Sequence, residues 1–116
     1  MSHRKWKVRI RHMIEAIDRV SLYTRGMDLE AFSRRSETVD AAIRNLQVIG
    51  EAARLVPEHI QQKHPEIPWV SMRGMRNVLV HDYDRVNVPV LWNTIQWNLP
   101  PLVPLLNNVL EQEPEE

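Results

Sequence analysis

The chain of 116 residues contains no cysteine, only three glycines and a single phenylalanine. Without cysteine it has neither a disulfide framework nor a thiolate zinc site. It also lacks an apolar run of membrane-spanning length, and its start is too polar for a secretory signal, so we expect a soluble cytoplasmic protein. Its 15 basic and 15 acidic side chains cancel, and any attraction to nucleic acid must therefore come from local patches.

Apolar residues recur at every third or fourth position, which predicts α-helices throughout the chain. A first amphipathic helix is expected over residues 4–23 and should stop at Thr24-Arg25-Gly26. Asp28 is placed to cap a short helix, and Ser36 or Thr38 can open a long one. Strand patterns are absent.

Prolines set predicted helix boundaries in the second half of the chain. Residues 64–68 contain two prolines and are predicted to form a rigid connector that leads into a helix over residues 69–82. Pro100, Pro101 and Pro104 should kink or split the last helix, because each removes a backbone donor and crowds the preceding turn.

Four principal helices with short connections predict an all-α fold, namely an antiparallel four-helix bundle with one or two short extra helices. With 43% hydrophobic content, the chain fits one domain, expected over residues 1–110. So modest a core is often completed by a partner subunit, and we expect a homodimer. Residues 111–116 are acidic and are predicted to be a disordered tail.

The start of the chain is basic, in contrast to this tail. Five cations surround Trp6, at Arg4, Lys5, Lys7, Arg9 and Arg11. Two interpretations stay open, an RNA-binding face that includes the indole and an ordinary solvated terminus.

An arginine, a histidine and a tyrosine stand close together in Arg76-Asn-Val-Leu-Val-His81-Asp-Tyr83, at the end of an apolar helical stretch. A guanidinium can bind phosphate oxygens through two donors, and an imidazole can exchange a proton near neutral pH. The tyrosine hydroxyl can donate a hydrogen bond or accept a modification. This Arg-x4-His-x-Tyr pattern is the candidate active site.

Helical geometry separates two of these residues. Arg73, Asn77 and His81 follow one another at four-residue steps of about 40° each, and so they share one stripe as candidate RNA contacts. The five-residue step from Arg76 to His81 turns about 140°, so one helix cannot direct both at one small group. In a two-fold dimer the stripe meets its copy, and both pairs can line one cleft.

Such a cleft suits RNA cleavage without a metal, because the ribose 2′-hydroxyl is an internal nucleophile. One His81 is expected to act as base and its symmetry mate as acid, with Arg76 stabilising charge on the phosphorane. On the residues alone another interpretation stays open, in which Arg76 is a surface ion-pair partner and His81 a helix-terminal residue.

Five segments, in order over nearly the whole chain, resemble the HepT-like family of HEPN-domain proteins. They are Tyr23-Thr-Arg-Gly-Met27, Ile49-Gly-Glu-Ala-Ala53, Pro65-Glu-Ile-Pro-Trp69, Met75-Arg-Asn-Val-Leu-Val-His-Asp-Tyr83 and Val90-Leu-Trp92. The resemblance implies a helical HEPN fold and a homodimer with Arg76 and His81 at a composite cleft. It also implies metal-independent endoribonuclease activity on RNA, with no cofactor.

The same resemblance implies that the protein is the toxin of a toxin–antitoxin pair whose partner is a minimal nucleotidyltransferase. In that family the antitoxin transfers AMP from ATP to the motif tyrosine, here Tyr83, and a bulky anion beside the cleft would repel RNA. A hypothesis of another class is a non-catalytic binding or regulatory subunit of a nucleotidyltransferase complex, since fold similarity does not secure activity.

Two further features have competing interpretations. Glu51, in Ile-Gly-Glu-Ala-Ala, either pairs with an active-site cation or is an exposed carboxylate on the long helix. His59 and His64 have no recognised metal-ligand spacing, and no bound metal is expected.

The tryptophans at positions 69, 92 and 97 stand at helical spacing beside aliphatic residues. Indoles in that pattern can stack on bases, but they belong to a core more often. We therefore predict that all three are core residues.

Overall fold

The structure is a computed structural model that describes residues 6–81 and 86–114, and for residues 76–81 the backbone alone. Those residues form seven α-helices and a π-helical segment, and no β-strand occurs among them. In chain order these are α1 (Trp6–Tyr23), α2 (Leu29–Arg34), α3 (Ser36–Arg54), α4 (Glu58–Lys63), α5 (Trp69–His81), α6 (Val88–Asn93), the π-helical segment (Thr94–Asn98) and α7 (Leu102–Gln112). The predicted all-α fold is confirmed. No described helix is both long and apolar enough to cross a bilayer.

Local signals set the first helix boundaries. Helix α1 ends at Tyr23, and Gly26 takes up a left-handed backbone with φ of 79°, which glycine adopts without steric cost. Asp28 caps α2 by accepting a hydrogen bond from the Ala31 amide at 2.8 Å. Helix α3 then begins at Ser36, one of the two predicted positions.

Helix α3 is the centre of the bundle, since it packs against both α1 and α5. One apolar row of this helix recurs at alternating four- and three-residue steps, which predicts a seam against a neighbouring helix. It is half-buried at Val39 and Ile43 and buried at Leu46, Gly50 and Ala53. A second buried row runs beside it, formed by Ala42, Asn45, Ile49 and Ala52. The helix has two such rows because a helix between two neighbours needs two apolar stripes.

The prolines divide the last helix, as predicted. The Leu99 amide bonds to the Thr94 carbonyl at 3.0 Å, five residues back, so the ladder widens into a π-helical segment. Pro100 and Pro101 follow at once and have no amide to continue the ladder. The apolar row nevertheless stays in register, because Leu91, Ile95, Leu99, Leu102, Leu106 and Val109 are all buried.

The end of α7 is anchored by four side chains that we call the C-terminal clasp: Lys7, Lys63, His64 and Glu113. The Lys7 ammonium donates to the backbone carbonyl of Glu113 at 2.5 Å, and the Glu113 carboxylate bonds to His64 Nε2 at 2.8 Å and to Lys63 Nζ at 3.0 Å. Both the imidazole and the carboxylate are buried. A disordered tail from residue 111 was predicted, and that prediction is wrong for residues 111–113, because contacts distant in sequence bury Glu113.

The structure decides against one open interpretation of Trp6 and corrects the prediction for Trp97. Trp6 is buried, so its indole is not part of an RNA-binding face at the basic start. Trp97, predicted to be core, has 75% of its surface exposed, because it lies on the outer side of the π-helical segment. Trp69 is buried as predicted, and Trp92 is half-buried with its ring centroid 5.1 Å from that of Phe32.

Candidate active site

The start of α5, the helix that carries the motif, is held by contacts with the connector before it. The Trp69 indole N–H donates to the His64 carbonyl at 3.0 Å, and the Pro68 carbonyl accepts the first helical bond from Met72. Trp69 and Met72 are both buried. A helix fixed in this way at its first turn gives the residues that follow a defined position against α3.

Two motif residues belong to this single helix. Helix α5 is α-helical from Trp69 to His81, so it includes Arg76 and ends on His81. Positions 76 and 81 are therefore about 140° apart around its axis. The side chains of Arg76, Asn77 and His81, and the whole of Tyr83, lie outside the described residues.

Arg73, a candidate RNA contact, is bound within the protein. Its guanidinium donates to the Gln61 side-chain oxygen. The Gln61 amide nitrogen in turn donates to the carbonyls of Val56 at 2.9 Å and Ala53 at 3.3 Å, near the end of α3. Arg73 thus joins α5 to the turn after α3, and any contact it makes with RNA starts from this position.

Glu51 also has a neighbour on its own helix. Its carboxylate accepts from Arg54 Nη2 at 2.6 Å, one turn further along α3. That hydrogen bond, aided by the charge of Glu51, raises the pKa of Arg54. Both side chains are partly exposed, and Glu51 makes a further polar interaction as well. The carboxylate is therefore partly neutralised before any ligand arrives.

Beyond Glu51 lies an open groove of about 360 Å³ between α1 and α3. We call it the α1–α3 groove, and it is lined by Arg9, His12, Arg44, Gln47, Val48, Glu51, Ala52 and Leu55. These residues do not stand out as a group in the sequence. The signal was available in part, because Arg9 and His12 are one helical turn apart on α1, and Arg44 and Glu51 are two turns apart on α3. Only the packing of α1 on α3 unites the two pairs.

A larger, mostly apolar cavity of about 630 Å³ lies between α5 and the segment from Val86 to Asn98. Met72 and Met75 line it from α5, with Gly74 between them. A Cβ added at position 74 would meet no atom of the described residues within 4 Å, so α5 presents an open face to them here. The motif helix is thus bordered by an apolar hollow as well as by the bundle core.

In the described part of the chain, no group of three or more histidine, aspartate or glutamate side chains is arranged to hold a metal ion. His59 is exposed on α4, whereas His64 is buried in the C-terminal clasp. The two histidines therefore differ in environment, and His64 is committed to Glu113.

The fold and the motif define a class of small helical domains with an arginine and a histidine at the end of one helix. Comparison with known families is more specific. The family model described as ribonuclease HepT-like matches residues 13–109, and the chain belongs to that family.

Relatives support the same assignment. A protein named "Probable ribonuclease HepT" from Thermococcus cleftensis is 39% identical over 99 residues, which cover 85% of this chain and 90% of that relative. Proteins named "Putative RNase" include one from Caldanaerobacter subterraneus subsp. tengcongensis, 30% identical over 90% of this chain and 93% of its own length. Another is from Methanocaldococcus jannaschii, 33% identical over 86% of this chain and 83% of its own. No solved structure matches the chain significantly.

Proposed function

We propose that this protein is a metal-independent endoribonuclease with Arg76 and His81 as its catalytic residues. The observation that carries the proposal is the family match over residues 13–109, which contains the Arg-x4-His-x-Tyr motif. The names of three relatives, each a ribonuclease or an RNase, agree with it. RNA is then the substrate.

The proposed reaction needs only acid/base and electrostatic help. A base removes the proton of a ribose 2′-hydroxyl, and the 2′-oxygen attacks the adjacent phosphorus. The bond from phosphorus to the 5′-oxygen breaks as an acid protonates that oxygen. The products are a 2′,3′-cyclic phosphate and a 5′-hydroxyl. His81 and its symmetry mate supply the base and the acid, while Arg76 stabilises the negative charge of the phosphorane.

A second copy of the chain completes this site. Positions 76 and 81 are about 140° apart on one continuous helix, so a single copy cannot direct both residues at one phosphate. A two-fold interface brings α5 to its own copy. The apolar cavity beside α5, with Val90 57% exposed at its edge and Trp97 75% exposed nearby, offers the hydrophobic surface that such an interface buries.

The proposed role in the cell is that of a cytoplasmic toxin, neutralised by a minimal nucleotidyltransferase that transfers AMP to Tyr83. This part of the proposal depends on the resemblance of the motif to the HepT-like family. The transfer joins the tyrosine oxygen to the α-phosphorus of ATP and releases pyrophosphate. A phosphodiester placed two residues after His81 adds negative charge where RNA must bind.

Cleavage of a defined RNA tests the catalytic assignment. Wild type should cut it equally well with and without a chelator, and His81→Ala should lose at least about 1000-fold in rate, because general acid and base are both removed. The matched control is His59→Ala, which removes an exposed histidine from α4 and should keep full activity. A 2′-deoxy substitution at the cut site should block cleavage. Cleavage that needs a divalent metal or survives His81→Ala would overturn the proposal.

Mixing wild type with an inactive variant tests the shared site. After subunit exchange with an excess of His81→Ala, nearly every wild-type chain is in a mixed dimer, which holds only one of the two histidines that act as base and acid. Activity should therefore fall almost to that of His81→Ala alone. Activity that stays in proportion to the amount of wild-type chain after verified exchange would exclude this arrangement.

Tyrosine modification is tested by mass. Coexpression with the nucleotidyltransferase and ATP should add mass in units of AMP to wild type and to Tyr23→Phe, but not to Tyr83→Phe. The chain has only two tyrosines, so Tyr23→Phe is the matched control. Equal addition to Tyr83→Phe would exclude Tyr83 as the acceptor.

A further inference from the structure

The α1–α3 groove is lined by two arginines and a histidine that have no partner among the described residues. Arg9 and His12 are half-buried on its α1 side, and Arg44 is exposed on its α3 side. Within the described part of the chain, the side chains of these three residues form no hydrogen bond and no ion pair. By contrast, Glu51, which is the acidic residue of the groove, is bonded to Arg54.

Two exposed arginines elsewhere in the structure form ion pairs with carboxylates on their own helices, Arg19 with Glu15 and Arg34 with Glu30. Arg25 and Arg35 form none among the described residues, but they do not share a groove. The α1–α3 groove differs because two guanidiniums and an imidazole from two helices line it together, and the carboxylate of Glu51 beside them is bonded to Arg54. The missing counter-charge is an anion, and a planar guanidinium matches the oxygens of a phosphate best.

We propose that the α1–α3 groove binds the phosphodiester backbone of RNA, outside the bond that is cleaved. Arg9 and Arg44 each contact a backbone phosphate, and His12 donates a hydrogen bond, which an imidazole can do in its neutral and its protonated form. Gln47, which also lines the groove, adds a neutral donor. These contacts raise affinity without reading sequence.

The position of the groove fits an RNA strand that continues from the active site. Helix α3 lines the groove with Arg44 and Glu51, and the same helix packs against α5, which carries the catalytic motif. The groove measures about 360 Å³ and is open to solvent, so it has room for a phosphate group while the strand passes through. This inference depends on the proposed function for the identity of the anion.

Binding of a single-stranded RNA to His81→Ala, which should not cut it, tests the groove. Adding Arg9→Gln and Arg44→Gln should weaken binding roughly 10- to 100-fold. The slope of log affinity against log salt should become shallower by about 1.4, because each phosphate of a single strand that the protein neutralises contributes about 0.7. The matched control adds Arg25→Gln and Arg35→Gln, two exposed arginines outside the groove, and should leave the slope unchanged.

Cleavage by otherwise wild-type protein separates binding from chemistry. The double variant Arg9→Gln/Arg44→Gln should show a raised KM on a long RNA and an unchanged rate at saturation. On a dinucleotide, which is too short to reach the groove, it should match wild type. A saturating rate that falls in parallel on both substrates would mean that the substitutions disturb the site itself, and it would overturn the proposal.

The outcomes distinguish this inference from the proposed function. Equal RNA affinity and equal salt slope in the groove variant and its control, with cleavage intact, would overturn RNA binding in the groove and leave the proposed ribonuclease unaffected. RNA binding that depends on Arg9 and Arg44, in a protein that never cleaves RNA, would support the groove and overturn the ribonuclease.

Discussion

The C-terminal clasp and the α1–α3 groove are both formed by basic and acidic side chains with a histidine, but they differ in burial and in pairing. In the clasp, Lys7, His64 and Glu113 are buried and bonded to one another or to backbone carbonyls. In the groove, Arg9 and Arg44 are accessible, and no described carboxylate pairs with them. A buried charge loses its hydration and needs a partner to compensate, whereas an accessible cation stays hydrated and remains available to a ligand.

This difference separates a structural cluster from a binding surface. Each buried side-chain nitrogen and oxygen in the described residues has a hydrogen-bond partner, so the clasp offers nothing to a ligand. Substitutions in the clasp should therefore change stability, and substitutions in the groove should change binding.

Removal of the central carboxylate should have the largest effect on stability. Glu113→Ala leaves Nε2 of the buried His64 without its partner, while Nδ1 keeps Glu66 at 3.4 Å, and it should lower the free energy of unfolding by about 3 kcal/mol. Urea unfolding at a fixed protein concentration measures it, because a dimer's stability depends on concentration. Glu111→Ala, an exposed carboxylate on the same helix, is the control and should change the value by less than about 0.5 kcal/mol. Equal changes in the two variants would contradict the burial of Glu113.

Substitution of Lys7 should lower the free energy of unfolding by somewhat less than Glu113→Ala does. Its ammonium donates to the carbonyls of Leu110 and Glu113 at the end of α7, where a cation also opposes the negative end of the helix dipole. Lys7→Met keeps the buried stem but leaves two carbonyls without this donor, and should cost about 2 kcal/mol.

Lys63→Met is the matched control for that change. Lys63 bonds to the same glutamate, but 58% of its side chain is exposed, so the decrease should stay below about 1 kcal/mol. A larger decrease for Lys63→Met than for Lys7→Met would show that the carboxylate pairing, and not the cap on α7, holds the end of the chain.

Acid should release part of the clasp. The hydrogen bond from His64, followed by that from Lys63, holds the pKa of Glu113 below its ordinary value of 4.5. A lowered pKa stabilises the fold at pH values above 4.5, and that stabilisation is lost as the pH falls through the folded-state value. The difference in the free energy of unfolding between wild type and Glu113→Gln should therefore shrink as the pH falls below 4.5. A constant difference across that range would contradict the shift.

Sequence patterns predicted the helices well because their signals are local. Asp28 as a cap, Gly26 as a stop and the prolines at 100 and 101 act within a few residues of their own positions. Helix α4 was not predicted, because its six residues are too few to show a periodic apolar face. The exposure of Trp97 was missed for a different reason: its aliphatic neighbours suggested a core position, but it lies two residues, about 200° of helical rotation, from both Ile95 and Leu99, which are buried.

The same distinction between local signals and distant contacts applies to the candidate site. The motif Arg76 to Tyr83 is contiguous and was visible in the sequence, and so was its incompleteness on one helix. The groove was not visible in the sequence, because Arg9 and Arg44 are far apart along the chain and line one groove only through the packing of α1 on α3. The partnership of His64 with Glu113, 49 residues away, was hidden for the same reason.

The smallest expected effect on stability is the most informative one. Arg9→Gln with Arg44→Gln should change the free energy of unfolding by less than about 0.5 kcal/mol, since no described ion pair is broken and two like charges are removed from one groove. The same urea titration used for Lys7→Met measures this. A decrease as large as that of Lys7→Met would mean that the two arginines hold α1 on α3, and the groove would then be a structural cluster like the clasp. Unchanged stability with weakened RNA binding is the combination that only an anion-binding surface produces.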